Sequence, residues 1–196
     1  MDKFIFLHVM KTGGTTLLKE FIRIYGRENI LHETKYKQDK IKNVGLLRMS
    51  DKTLTSYFPS HKDYKIIHGH FFYEKYKHLR RPFFTFLRNP IERIISHYST
   101  CNNIDFYEFC RISSNAMTQM TGGDLTKYEF IGITDKMEES LQKLENILGC
   151  SFKRKVMNKT KNKKVMTKNQ IKYIKKYNQH DIKLYEKGLN LFAKMR

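Results

Sequence analysis

Three short clusters hold the side chains that could do chemistry: KTGGTT at 11–16, HGH at 68–70 and RNPIERIISHY at 88–98. In the first, Gly13 and Gly14 let backbone amides come close to an anion, while Lys11, Thr12, Thr15 and Thr16 add a charge and hydroxyl donors. A helix that starts at this break would add the positive end of its dipole. The ligand that fits is phosphate-like. The loop is not a GxxxxGK[ST] nucleotide loop, because Lys11 precedes both glycines instead of following them. A tight turn in which the glycines serve packing alone accounts for the same residues.

His68 and His70 are two apart, so on a strand they share a face, with Gly69 leaving room between them. Such a pair suits a general base at a cleft, a zinc site for which no third ligand is evident, or two ordinary half-buried histidines. In the third cluster Arg88 offers a guanidinium fork, and Ser96 lies two turns along the helix that follows, with Arg93 and His97 beside it. A fork and a hydroxyl suit a second, separate phosphate.

These clusters need elements to bring them together. The apolar run from Lys3 to Val9 predicts a strand buried on both faces, and Leu17, Leu18, Phe21, Ile22 and Tyr25 recur at helical spacing behind it, up to Gly26. YKIIHGHF (64–71), PFFTFLRN (82–89) and EFIGIT (129–134) predict three more strands. Asn89 suits an N-cap and Pro90 the first helical position, with Ile91, Ile94, Ile95 and Tyr98 forming one stripe. Met137, Leu141, Leu144 and Leu148 predict a helix behind the last strand. Thr167 and Gln170 form a capping-box pair, and Ile182, Tyr185, Leu189 and Phe192 mark a closing helix. Residues 27–62 read as a polar excursion with an amphipathic patch at Leu46, Leu47, Leu54 and Phe58.

Alternation of strand and helix predicts a three-layer α/β fold, a parallel sheet flanked by helices. In such a sheet ligands sit at the carboxyl ends of the strands, and the three clusters fall at three such ends, facing one cleft. With 196 residues and 40% hydrophobic composition the chain supports one sizeable core, so a single domain over 1–196 is expected. Cys101, Cys110 and Cys150 form no CxxC or metal-like spacing, which points to reduced thiols. The chain enters a short apolar strand directly, with neither a signal-peptide stretch nor a membrane span, so a cytoplasmic protein is expected. A net charge of +19 favours polyanionic or phosphate-rich partners without selecting one.

The clusters also resemble a known family. LHVMKTGGTTL resembles the 5'-phosphosulfate-binding motif of the carbohydrate sulfotransferases, and FLRNPIERIISHY resembles their 3'-phosphate-binding motif. IIHGHF is similar to the element that carries the catalytic histidine in the heparan-sulfate 2-O-sulfotransferase branch. SNAMTQMTGG, FIGITDKMEESLQKL and HDIKLYEKGLNLF resemble downstream stretches in the same order. The sequence departs from the family pattern at Met10, Asn89 and Gln119, where proline, aspartate and arginine are common.

The resemblance implies a P-loop-like sulfotransferase fold and transfer of a sulfuryl group from 3'-phosphoadenosine 5'-phosphosulfate (PAPS), with no metal. It implies that Lys11, Thr12, Gly13, Gly14, Thr15 and Thr16 hold the 5'-phosphosulfate, with Lys11 also catalytic, and that Arg88 and Ser96 hold the 3'-phosphate. His70, or else His68, is the implied base. Lys159 and Lys161 fall where the family often places a loop over the cofactor. The implied acceptor is a small molecule or an oligosaccharide, with the basic surface favouring an anionic one. A P-loop kinase-like phosphotransferase and a basic nucleic-acid-binding module are the rival readings, and a non-catalytic relative is a further one. The oligomeric state is not legible.

Overall fold

Four-residue runs of Ile, Leu and Phe are too short for stable helices and suit strands covered on both sides. The computed structural model describes residues 3–33, 63–153 and 163–195. Its strands are β1 (Phe4–Leu7), β2 (Ile30–Glu33), β3 (Ile66–Gly69), β4 (Phe83–Leu87) and β5 (Phe130–Ile133). They form one sheet in the order β2-β3-β1-β4-β5, and every neighbouring pair is parallel. The helices are α1 (Gly14–Tyr25), α2 (Tyr73–Tyr76), α3 (Pro90–Tyr98), α4 (Phe106–Ile112), α5 (Ala116–Thr121), α6 (Met137–Leu148), α7 (Lys168–Tyr177) and α8 (Gln179–Lys194).

Strand alternation divides the core between the two faces of the sheet. Phe4, Phe6, Ile66, Phe84, Phe86 and Phe130 pack with Leu17 and Phe21 of α1 and Leu141, Leu144 and Leu148 of α6. Ile5, Leu7, Ile67, Leu87, Ile131 and Ile133 pack with Met117 and Met120 of α5 and Leu184 and Phe192 of α8. Three layers result. A separate cluster of Ile94, Phe106, Phe109, Cys110 and Ile174 joins α3, α4 and α7.

The expected caps are present. The Asn89 side chain accepts from the Ile91 and Glu92 amides, and Thr167 and Gln170 form the reciprocal capping box. Gly26, at φ 82°, ends α1 and donates its amide to Ile22 O. Two features differ from the sequence reading. β2 lies inside the segment read as an excursion, because ILHE is too short to show an alternation. α4 and α5 have no counterpart in that reading, since each is shorter than two full helical repeats of apolar residues. Residues 34–62, with the amphipathic patch expected there, lie outside the described residues.

Asp181 ties the helices that carry the third cluster. Its buried carboxylate accepts from the Met117 and Thr118 amides at 3.1 and 2.8 Å, meeting the unpaired first turn of α5. It also stands 3.6 Å from Arg93 of α3, and neither side chain of this pair is exposed. Asn115 reciprocates by accepting from the amides of His180 and Asp181. Asp181→Ala would strand the Arg93 guanidinium without its anion. A loss of about 3–5 kcal/mol of unfolding free energy is expected by urea denaturation; a loss below about 1 kcal/mol would show that the ion pair does not anchor α3.

Candidate functional site

The connection after β1 leaves toward β2 and the one after β4 leaves toward β5, so between these neighbours the chain diverges in opposite directions. That divergence opens a crevice at the carboxyl edge of the sheet, where α/β folds bind ligands. The turn at 8–13 and Arg88 stand on its two sides, and they touch: Arg88 Nη1 donates to Lys11 O at 3.1 Å.

The turn is built to present amides. His70 Nδ1 donates to His8 O (2.6 Å), Thr12 Oγ1 to Val9 O (2.7 Å), Thr134 Oγ1 to Thr12 O (2.9 Å) and His68 Nε2 to Gly14 O (3.2 Å). With Arg88 on Lys11 O, these bonds leave the carbonyls of the turn occupied by protein donors. Lys11 and Gly13 adopt left-handed backbone, at φ 67° and 94°, which turns successive amides toward a common point. The Thr16 amide bonds back to Gly13 O at 3.1 Å, and the amides of Gly14 and Thr15 lie at the open start of α1. A Cβ on Gly14 would overlap the His8 ring, so only glycine lets α1 start this close to the sheet. The result is a cradle whose open side offers backbone amides.

Four histidines cluster beside the crevice, of which His32 and His68 stand behind its wall. The His8 ring lies 4.3 Å from the His70 ring and 5.3 Å from that of His68, and His32 of β2 lies 5.0 Å from His68. β3 stops at Gly69, so His70 already belongs to the loop, while His68 is completely buried beneath the start of α1. Because a carbonyl can only accept, His70 carries its proton on Nδ1 and leaves a lone pair on Nε2. Burial holds the His70 pKa below the ordinary 6.5, with its bond to His8 O opposing and His32 assisting. His70 is therefore a neutral acceptor at neutral pH.

The opposite wall is cationic. Lys11 Nζ donates to Thr100 Oγ1 at 3.3 Å; burial lowers its pKa, against an opposing effect of Cys101 and with a smaller lowering by the Arg88 charge. Arg88 Nε, Arg93 Nε and Nη1 and His97 Nδ1 are buried without a hydrogen-bond partner among the described residues. Burial, with the charges of Arg93 and Lys11, pushes His97 down to about 3. Glu92 answers part of this charge, 3.6 Å from Arg88 and 2.6 Å from Lys163. Lys164 stands 3.9 Å over the Tyr98 ring and bonds its amide to Ser99 Oγ. An anion entering the crevice would meet donors already desolvated and oriented.

The structure brings Lys11, Thr12, Gly13, Gly14, Arg88 and His70 together. Thr15 and Thr16 occupy the first turn of α1, Thr15 exposed and Thr16 half-buried. Ser96 is 2% exposed, in the second turn of α3. Lys159 and Lys161 lie outside the described residues. Sequence reasoning missed His8, His32, Thr134 and Lys163. Thr134 follows a predicted strand end, a signal that was available; His32 had none, because its strand was not legible. Among the described residues no group of three or more His, Cys, Asp or Glu could hold a metal ion, and no helix is long and apolar enough to cross a membrane.

The parallel sheet, with its first strand running through a glycine turn into a helix N-terminus and helices on both faces, defines a three-layer α/β protein. The chain belongs to the sulfotransferase family: the model described as "Sulfotransferase family" matches residues 1–188. No curated protein matches the chain. Among solved structures it is similar to the crystal structure of mouse sulfotransferase SULT7A1 complexed with PAP, at 13% identity and a TM-score of 0.43, over 100% of this chain and 86% of that one.

The buried histidines make stability depend on pH. Burial and the neighbouring His32 and His70 lower His68 to about 3, and burial holds His8 well below its ordinary range. Unfolded, each titrates near 6.5, so the unfolded chain takes up protons that the folded chain refuses. The stability these groups contribute is complete above pH 6.5 and is lost as pH falls toward 3. His68 and His97 should each cost about 2 kcal/mol between pH 6.5 and about pH 5, read by urea denaturation. A flat profile over that interval would contradict the buried neutral cluster.

Proposed function

We propose that the protein transfers a sulfuryl group from PAPS to an acceptor hydroxyl, with an anionic glycan as the favoured acceptor class. Family membership supports sulfuryl transfer. The observation that carries the donor assignment is the turn itself: its carbonyls are occupied by protein donors, its amides converge, and Arg88 is bound to its backbone. These residues fit a donor with two separated anionic groups. The 5'-phosphosulfate is assigned to Lys11 and residues 12–16, with the amides of Gly13 to Thr15 facing it, and the 3'-phosphate to Arg88 and Ser96. When bound, PAPS supplies an activated sulfur with a phosphate leaving group.

Each residue then has a definite task. Lys11, released from Thr100, places its ammonium where negative charge grows on the departing oxygen, and burial strengthens that interaction. Arg88 keeps the turn in shape through Lys11 O and uses its unpartnered Nε toward the anion. His70 Nε2 takes the acceptor proton, because its other nitrogen is committed to His8 O. His68, completely buried with both nitrogens engaged, does not reach an acceptor, so the base is assigned to His70. The basic surface and the resemblance of IIHGHF to the heparan-sulfate 2-O branch support an anionic glycan as acceptor.

Calorimetry with adenosine 3',5'-bisphosphate tests the donor. Micromolar binding without magnesium is expected, and silence toward it together with a response to ATP and magnesium would overturn the reading. Arg88→Ala should weaken bisphosphate binding by about ten- to a hundredfold. Lys11→Ala should lower kcat by roughly two to three powers of ten. His70→Ala should bind the product nearly as wild type and lose about two to four powers of ten in turnover. The acid limb of kcat/KM should fall below pH 6.5, the ordinary histidine value. Full activity in the His70 variant would refute its role as base.

A further inference from the structure

His32 lies outside the catalytic crevice, yet it is the first member of a hydrogen-bonded chain that ends on the cradle. β2 and β3 pair in register, with His32 beside His68. His32 Nδ1 stands 3.3 Å from His68 O and 3.1 Å from His68 Nδ1. His68 Nε2 stands 3.2 Å from Gly14 O. The proton positions follow from the partners. Gly14 O can only accept, so His68 carries its proton on Nε2 and its Nδ1 is an acceptor. His68 O can also only accept, so His32 carries its proton on Nδ1 and shares it between that carbonyl and His68 Nδ1. Every contact is satisfied with both rings neutral, and the direction of donation is fixed from β2 toward α1.

We infer that His32 and His68 act together as positioning residues that set the orientation of the Gly14–Thr15 peptide, and with it the Thr15 amide offered to the donor's anionic group. This rests on the reading that the turn holds the 5'-phosphosulfate. The carbonyl and amide of one trans peptide point in opposite directions. Holding Gly14 O back against the sheet therefore aims the Thr15 N–H outward into the cradle. Packing makes the hold stiff: the His68 ring stacks on Phe6 at 5.1 Å with an interplanar angle of 7°, and Phe21 meets it edge-on at 6.4 Å. The ring cannot swing away, so its tautomer is the remaining freedom. His32 removes that freedom, because its donated proton forces His68 to keep its own on Nε2. Without His32, a His68 protonated on Nδ1 would turn a lone pair toward Gly14 O and repel it.

The first test needs no ligand. In proton NMR of the wild-type protein the His68 Nε2–H is expected as an exchange-protected imidazole resonance, and in His32→Phe, which keeps a ring and removes the donor, that protection is expected to be lost. The second test is calorimetric. His32→Phe should weaken adenosine 3',5'-bisphosphate binding by about five- to tenfold, the worth of one net hydrogen bond, and should raise KM for PAPS without an equal fall in kcat. His32→Asn, whose amide stands where Nδ1 stood, should restore binding. In His68→Gln, whose amide donates to Gly14 O without needing a fixed tautomer, adding His32→Phe should change binding no further. A freely exchanging His68 proton in the wild type, or failure of His32→Asn to restore affinity, overturns the inference. Wild-type binding with His32→Phe unaffected overturns the inference alone; no bisphosphate binding by the wild type overturns the donor reading beneath it.

Discussion

The site depends on where the carbonyls of one turn are sent. A tight connection between a strand and a helix carries as many carbonyls as amides, and left alone it presents both to a ligand. Here four side chains from β3 and the ends of β3, β4 and β5 claim the carbonyls of His8, Lys11, Thr12 and Gly14, and Thr12 itself claims that of Val9. What remains on the crevice side is positive. A polar backbone group buried without a partner costs about 1–3 kcal/mol, so each of these bonds stabilises the fold while it shapes the cradle. The contacts that fold the turn are the ones that shape it.

Those contacts can form only because the sheet has its particular order. With β1 at the centre, the ends of β3 and β4 flank the turn, which puts His68 and His70 on one side and Arg88 on the other. β5 adds Thr134 from beyond β4, through its bond to Thr12 O. Arg88 itself is held by the start of α3, where Asn89 caps the helix and donates its own amide to Asp135 at 3.0 Å. α3 is in turn fixed through Arg93 and Asp181, so a buried ion pair deep in the molecule sets the position of a guanidinium at the crevice. The buried histidines work in the other direction: burial keeps them neutral, and this neutrality leaves His70 with a lone pair on Nε2.

Much of this was legible in the sequence. FIFL, IIHG, FFTFL and FIGI are short, apolar and bounded by turn residues, so their strands could be read directly. The caps at Asn89 and Thr167 could be read because capping depends on residues a few positions apart. The gathering of Lys11, His70 and Arg88 followed from one rule about strand ends in parallel sheets. What was not legible depends on long-range pairing. ILHE becomes a strand only because Ile66–Gly69 lies beside it, and neither its composition nor its period announces that. His32 was hidden for the same reason. His8 was inside a recognised motif, but its packing against Gly14 is a fact of two chains of atoms meeting, and no spacing encodes it. His68 was grouped with His70 as a candidate base because alternation gives a face and not a depth.

A crystal structure of the protein with adenosine 3',5'-bisphosphate, grown without magnesium, tests the central claim most directly. The account predicts the 5'-phosphate on the amides of Gly13 to Thr15 with Lys11 turned toward it, Arg88 and Ser96 at the 3'-phosphate, and the carbonyls of the turn still bound to His70, Arg88, Thr134 and His68. A nucleotide seated elsewhere, or one bound only after those carbonyl bonds had broken, would contradict it.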